Sequence, residues 1–131
     1  MMNIDGTNVR QLTNLRSIVM SPSFSPLGTQ LSFLGFPPGG PGKTPQVYVV
    51  DVATRKNKAV TRFRKGVVAP VWIRGVGKGR FVGTLSERGV DSELYVWPVD
   101  NPKARKRLTV SRGIDNSPSF ASDQSRFACV S

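Results

Sequence analysis

Histidine is absent from the sequence, and the eight acidic residues are scattered along it with no paired-carboxylate signature. Without histidine, the Ser-His-Asp and Cys-His arrangements of nucleophilic catalysis are excluded, and the commonest metal ligand is missing. Isolated acids also give no pair suited to general acid–base catalysis. The composition therefore predicts a protein that is not an enzyme and that carries no catalytic residues, no metal and no cofactor.

Cysteine and long apolar runs are also scarce. Cys129 is the single cysteine, so it has no partner for a disulfide within the chain. No apolar run approaches the roughly 18–20 residues that a membrane-spanning helix needs. Residues 1–6 have no basic segment followed by an apolar one. We therefore expect neither a membrane span nor a signal peptide in this chain.

Positive charge is abundant, with 19 Lys and Arg against 8 Asp and Glu and a formal net charge of +11. An excess of this size favours an anionic partner or surface. Lys and Arg on strand edges also keep a β protein soluble, and that reading stays open. The run at Lys103, Arg105, Lys106 and Arg107 has no interleaved aromatic residues, so nucleic acid is not an expected partner.

The chain repeats itself at a spacing of 48 residues. Proline followed two residues later by an aromatic residue recurs, and so does a threonine that closes a β-rich run: Pro22 and Phe24, Pro70 and Trp72, Pro118 and Phe120, with Thr13, Thr61 and Thr109. Thirteen Gly and ten Pro divide the chain into short elements. A repeat of 40–50 residues built from short strands is typical of β-propeller blades.

We therefore predict an all-β fold of β-propeller blades, each a four-stranded antiparallel meander. The chain supplies two complete blades and two half blades, about half of a six-bladed propeller. Residues 1–131 form one partial propeller domain, with units at about 1–20, 21–68, 69–116 and 117–131. Strands are expected at residues 2–5, 8–13, 21–26, 30–34, 46–52, 58–62, 69–73, 80–85, 93–99, 104–109, 117–121 and 126–130.

The repeat resembles that of TolB-type β-propellers. That pattern places proline, any residue and Trp or Phe before Ser-Pro-Asp-Gly, and it later ends an outer strand with Arg, any residue, Leu and Thr. The chain matches it at Pro22-Ser23-Phe24-Ser25-Pro26 and at Arg10-Gln11-Leu12-Thr13. It departs at Leu27, in place of the turn aspartate, at Ile73-Arg74, in place of Ser-Pro, and at Gln124, in place of glycine.

The resemblance implies a non-enzymatic protein–protein interaction module of the bacterial cell envelope. Its location would be the periplasm and its partner a peptidoglycan-associated lipoprotein. Similar blades form the gating propeller of prolyl-oligopeptidase-like serine peptidases, so a fragment of such an enzyme is an alternative. A basic propeller that binds an anionic polymer is another, because of the net charge.

Alternate connections of a four-stranded meander lie on opposite faces of a propeller. The long connections share one face, here called the long-loop face, at residues 14–20, 35–45, 62–68, 86–92 and 110–116. Loops carry function on rigid scaffolds, so we expect partner binding there. The candidate residues are the cations Arg16, Lys43, Arg62, Arg64, Lys65, Arg88 and Arg112.

Two further expectations concern packing. The blade aromatics should wedge between sheets, and the repeated threonines should end the outer strands where side chains meet solvent. Residues 2–13 read as an outer strand pair and 117–130 as an inner pair, so the two are complementary. We therefore predict a head-to-tail homodimer, or a chain that is stable only beside additional blades.

Overall fold

The computed structural model describes residues 1–38, 43–74, 79–88 and 91–131, with residues 87 and 88 described as backbone only. Its described residues form ten β-strands and no helix, so none of them belongs to a helix that could cross a bilayer. The strands are β1 Val19–Phe24, β2 Gln30–Gly35, β3 Gln46–Asp51, β4 Asn57–Ala59, β5 Val68–Ile73, β6 Arg80–Arg88, β7 Asp91–Pro98, β8 Lys106–Arg107, β9 Asn116–Phe120 and β10 Phe127–Val130.

The strands form antiparallel meanders in chain order. One four-stranded sheet has the order β1-β2-β3-β4, a second has β5-β6-β7-β8, and β9 pairs with β10. The predicted all-β fold of propeller blades is therefore confirmed. The four strands Gln46–Asp51, Gln30–Gly35, Arg80–Arg88 and Asp91–Pro98 occupy the middle of their sheets and carry most of the buried residues.

β3 explains why these sheets stack. Its residues Val47, Tyr48, Val49 and Val50 are all buried, although successive side chains of a strand point to opposite faces. Val47 and Val49 belong to the cluster shared with the second sheet, whereas Tyr48 and Val50 pack with Leu12 on the other face. A strand that is apolar on both faces requires a neighbour on each side.

The core between the two four-stranded sheets is aromatic. Trp72 and Phe81 lie 4.9 Å apart between ring centroids, and Phe81 and Trp97 lie 6.0 Å apart. Trp72 is 3% exposed, so the predicted role of this tryptophan as a wedge between sheets is confirmed. From the first sheet, Leu34 joins Val47 and Val49 against these rings.

Each inner strand bends at the residue before its proline. Ser21, Ala69 and Ser117 have positive φ angles of 54°, 46° and 52°, and the strand register shifts beside each of them. A bulge leaves one residue out of the ladder, so a proline without an N–H is tolerated within the strand. The repeated proline therefore marks a bulge inside the inner strand rather than a strand start.

The turn at Gln124 keeps the geometry that glycine has at the equivalent turn. Gln124 has a φ of 58° and Gly28 a φ of 69°, and their N–H groups donate to Ala121 and Ser25 across 2.8 Å. The Gln124 side chain also accepts a hydrogen bond of 2.6 Å from the backbone N–H of Arg74. The departure from the family pattern thus adds a link between neighbouring sheets.

The strands predicted at residues 2–5 and 8–13 are wrong, because the structure has no strand before Val19. The segment closes on itself through Arg10 N–H to Met1 O (2.7 Å) and Asn3 N–H to Thr7 O (2.9 Å). These isolated bonds do not build a ladder. Leu12 still docks on the first sheet, where it is buried against Phe33 and Tyr48.

Phe24 does not take the wedge position that was predicted for it. It is half exposed and lines a cleft of about 520 Å³ between the N-terminal segment and the first sheet. The segment covers Phe33 but leaves the inner strand open on that face. Phe120 packs against Phe127 within its own strand pair, with ring centroids 5.2 Å apart.

The outer strands are shorter than predicted. β4 ends at Ala59, because the N–H groups of Val60 and Thr61 both point to the carbonyl of Val47 and break the ladder. The predicted loop at 86–92 is also wrong in extent, since β6 continues to Arg88 and β7 starts at Asp91. Residues 39–42 of the predicted connection 35–45, and residues 75–78 between the strands predicted at 69–73 and 80–85, lie outside the described residues.

Replacing Trp72 by alanine should destabilise the fold by about 3–5 kcal/mol, because a large buried side chain leaves a cavity between the sheets. Leu27→Ala is the matched control, because Leu27 is 86% exposed and its loss should cost less than about 0.5 kcal/mol. Urea denaturation followed by circular dichroism measures both. A Trp72→Ala loss below about 1 kcal/mol would show that this core is not as described.

Candidate functional site

The long-loop face is created by strand direction. In the first sheet, the starts of β1 and β3 and the ends of β2 and β4 lie at the same end of the strands. The second sheet, β5 to β8, has the same arrangement. The described connections at this end of the strands therefore lie on the same face of the molecule. Val67 N–H donates to Pro45 O across 2.9 Å, so two of the connections contact each other, and Ser92 N–H at the start of β7 donates to Gly113 O across 3.1 Å.

The predicted cations of this face are exposed. This holds for all those whose side chains the structure describes: Arg16, Lys43, Arg62, Arg64, Lys65 and Arg112. The side chain of Arg88, the remaining candidate, lies outside the described ones. Within the described part of the chain, no acid lies within ion-pair distance of these six side chains. Their positive charge is therefore available to a partner.

Four of these cations are brought together. Lys43 and Arg62 line a concavity of about 390 Å³ beside Phe63, and Arg64 and Lys65 lie in the same turn. Thr44 holds this turn through a hydrogen bond of 3.4 Å from its hydroxyl to the Arg64 carbonyl. Arg16 and Arg112 belong to other connections, and neither lines this concavity.

Gly66 allows the basic turn to approach the connection before β3. Its φ is 78°, and a Cβ built on it would lie 2.8 Å from both Pro45 O and the Thr44 Cβ. Any other residue would be strained by its backbone angle and would also clash. Glycine here is therefore needed to place the cations against β3.

A buried polar group fixes the same turn from beneath. Gln46 Oε1 accepts hydrogen bonds from the Thr61 hydroxyl (2.9 Å) and from Phe63 N–H (2.8 Å), while its Nε2 donates to Phe63 O (2.7 Å). The Thr61 hydroxyl also accepts from Val47 N–H across 2.9 Å. One glutamine and one threonine therefore hold the turn rigidly on the start of β3.

The second sheet repeats this arrangement with charged residues. Glu93 accepts from the Thr109 hydroxyl (2.6 Å), from Ser111 N–H (3.0 Å) and from the Arg107 guanidinium. Thr109 in turn accepts from Leu94 N–H across 3.0 Å. Ala59 takes the place of Arg107 in the first sheet, so a neutral glutamine is accompanied by alanine and a glutamate by its arginine.

Glu93 is held in its charged form. Burial raises the pKa of this carboxyl, but the hydrogen bonds from Thr109, from the Ser111 backbone and from Arg107, with the positive charge of Arg107, outweigh it. The net effect is a pKa below the ordinary glutamate value. Glu93 therefore remains an anion whose charge Arg107 balances, and it contributes no free negative charge to the long-loop face.

The expectation that the repeated threonines face solvent is wrong for Thr61. Thr61 is fully buried, and its hydroxyl accepts the hydrogen bond that a ladder carbonyl would otherwise take from Val47 N–H. The sequence does contain a signal for this group. A polar residue, Gln46 or Glu93, directly precedes each apolar run of β3 and β7, and a threonine follows about 15 residues later.

The comparisons with known proteins point to the same family. The model of the TolB beta propeller domain family matches residues 1–131. A protein TolB homolog of Chlorobium luteolum is 39% identical over 128 residues, 97% of this chain and 27% of the relative. A protein TolB homolog of Chlorobium chlorochromatii is 37% identical over 130 residues, 98% of this chain and 27% of the relative.

Two further matches are partial or structural. The Tol-Pal system protein TolB of Jannaschia sp. is 47% identical over 53 residues, 40% of this chain and 11% of that protein. The crystal structure of TolB from Acinetobacter baumannii has the same fold, with a TM-score of 0.75 at 24% identity, over 96% of this chain and 30% of that one. The chain spans about a quarter of the length of the curated relatives it matches.

Thr61→Val should destabilise the fold by about 1–3 kcal/mol, because it removes the acceptor of the buried Val47 N–H. Thr61→Ser keeps the hydroxyl and is the matched variant, so it should lose distinctly less stability. Urea denaturation of both variants gives the comparison. Equal losses for valine and serine would mean that packing of the methyl group, and not the hydroxyl, matters here.

Glu93 should make stability sensitive to acid. Because its folded-state pKa is lowered, its contribution is present above the ordinary glutamate pKa and is lost as the pH falls through the folded value, from about pH 5 downward. Glu93→Gln should flatten this part of the stability profile. Gln46→Ala should lower stability at every pH and keep the wild-type slope. An unchanged slope in Glu93→Gln would contradict the assignment.

Proposed function

The chain belongs to the TolB beta propeller domain family, and on that premise we propose that it is a non-enzymatic module that binds a protein partner. A relative named Tol-Pal system protein TolB supports a role in the cell envelope. The proposed location is the periplasm and the proposed partner a peptidoglycan-associated lipoprotein. Partner binding is assigned to the long-loop face.

The observation that carries this proposal is the group of exposed, unpaired cations around one concavity. Lys43 and Arg62 flank it, and Arg64 and Lys65 extend it along the turn. Phe63 supplies a half-buried apolar wall, and its ring meets Trp97 edge-on at 5.6 Å between centroids. An interface commonly combines an apolar anchor with charged residues around it.

Rigidity supports the same assignment. Gln46 and Thr61 tie the cationic turn to β3 through buried hydrogen bonds, so the turn is ordered before a partner arrives. A preorganised surface loses little conformational entropy on binding. The complementary partner surface is acidic, because the face offers Lys and Arg side chains without counter-ions among its described residues.

The chemistry of the chain supports binding rather than turnover. It has no histidine, and its buried Glu93 carboxylate already accepts hydrogen bonds from Thr109, Ser111 and Arg107. A carboxylate held as an anion by three donors is a structural group and not a proton donor near neutral pH. The proposal therefore assigns no reaction to the chain.

Charge reversal on the long-loop face tests the proposal. Lys43→Glu combined with Arg62→Glu and Arg64→Glu should weaken binding to the soluble domain of the lipoprotein by about tenfold or more, since exposed charges each contribute modestly. Isothermal titration calorimetry with the purified chain measures the affinity.

The matched control reverses three cations away from this face, Arg55, Lys56 and Lys103, which gives the same net charge. It should retain most of the affinity. Equal weakening by both triple variants would show that net charge alone governs binding. Absence of binding by the unmodified chain would reject the lipoprotein as the partner.

A further inference from the structure

A second group of cations lies on the outer strands of the two four-stranded sheets and in the residues before them. Residues 55–58 contain three and residues 103–107 contain four, so nine residues hold seven of the nineteen cations and no acid. These segments comprise β4, β8 and the turns before them, and we call them the basic rim. Its members are Arg55, Lys56, Lys58, Lys103, Arg105, Lys106 and Arg107.

The basic rim follows the 48-residue period. Arg55 corresponds to Lys103 and Lys58 to Lys106. The two neighbouring sheets therefore carry positive charge at equivalent positions on or just before their outer strands. Arg10 stands one further period before Lys58, in the segment that docks on the first sheet. The cations therefore recur from one unit to the next and form a row rather than a single cluster.

A direct contact joins the second segment of the rim to the connection that follows β4. The guanidinium of Arg105 lies over the ring of Phe63, 5.2 Å from its centroid. Phe63 belongs to the connection that leaves the first sheet, whereas Arg105 precedes β8 of the second. The outer edges of the two sheets are thereby held side by side.

Two acids flank the rim segments in the sequence, and one buried acid pairs with a cation of the rim. Asp51 accepts hydrogen bonds from the N–H and the hydroxyl of Thr54 (2.8 and 2.9 Å). Glu93 is buried and pairs with Arg107. Asp100 is exposed in the second turn and is the one acid of that turn. The rim keeps a large positive excess after these pairings.

The chemistry of the rim selects the kind of partner. Neither segment has an exposed large apolar side chain. Tight protein interfaces need buried aromatic or aliphatic anchors, and nucleic-acid grooves need rings for base stacking. A row of cations without apolar anchors suits a diffuse anionic surface, to which polybasic segments bind through charge alone.

We propose that the basic rim docks on a membrane surface rich in anionic phospholipid. Lys and Arg side chains contact the headgroup phosphates, and no part of the chain enters the hydrocarbon. Short edge strands with lysines also discourage pairing between sheets, and this role is compatible with docking. The proposed docking residues differ from the cations proposed to bind the partner, and the two surfaces meet where Arg105 contacts Phe63.

Vesicle sedimentation with the full chain tests this inference. The probes are vesicles of phosphatidylcholine alone and of phosphatidylcholine with about one-third phosphatidylglycerol, at low and at physiological ionic strength. The rim variant carries Arg55→Gln, Lys58→Gln, Lys103→Gln and Lys106→Gln. Each cation removed should lower the partition coefficient roughly fivefold, so this variant should lose several-hundred-fold on the anionic vesicles.

The control variant carries Arg16→Gln, Lys43→Gln, Arg112→Gln and Arg126→Gln, which removes the same number of charges from exposed positions elsewhere. It should lose less than about tenfold. Circular dichroism establishes that both variants are folded. Equal losses in the two variants, equal binding to neutral vesicles, or retention by immobilised polyglutamate without vesicle binding would each overturn the proposal.

Discussion

The contact between the two four-stranded sheets is the interaction on which the rest of the structure depends. Trp72, Phe81 and Trp97 fill the space between the sheets, and Val47 and Val49 close it from the first sheet. β3 is apolar on both faces, so its sheet cannot be stable as an isolated layer. Because the sheets must stack, the strand ends that carry the long connections are brought to the same side. The cations of successive connections therefore lie on one face.

A second constraint decides where the chain leaves each sheet. An outer strand that ends beside the core leaves backbone groups without ladder partners, and buried unpaired groups are costly. The hydroxyls of Thr61 and Thr109 satisfy the N–H groups of Val47 and Leu94, and Gln46 and Glu93 then fix the departing chain. The position of the basic turn is therefore set by buried hydrogen bonds and not by the cations themselves.

Sequence reasoning recovered the features that depend on periodicity. The 48-residue spacing placed the blades and identified Trp72 as core, because burial of an aromatic residue between stacked sheets follows from the repeat itself. It misjudged Phe24, whose exposure depends on how far a neighbouring segment reaches. It also misjudged Thr61, because threonine suits solvent and buried ends of strands equally, and only the register shows which group its hydroxyl meets. Among the candidate cations, which ones meet depended on turn geometry at Gly66.

Polar and apolar side chains are satisfied in different ways in these sheets: the buried Gln46 and Glu93 find their partners within their own sheet and the connection that follows it, whereas apolar groups pack against the neighbouring sheet. Gln46 with Ala59 in one sheet corresponds to Glu93 with Arg107 in the next, so the charge and its counter-charge change together. Placing Glu alone in the first sheet would bury a carboxylate without its arginine, and such an unpaired charge is strongly unfavourable. The buried polar side chains at these two positions therefore find their hydrogen-bond partners within their own sheet and its connection. The apolar core is shared between the two four-stranded sheets, since Leu34, Val47 and Val49 of one sheet pack on Trp72 and Phe81 of the next. Each sheet can therefore vary its polar group independently, but the apolar faces must be matched in pairs.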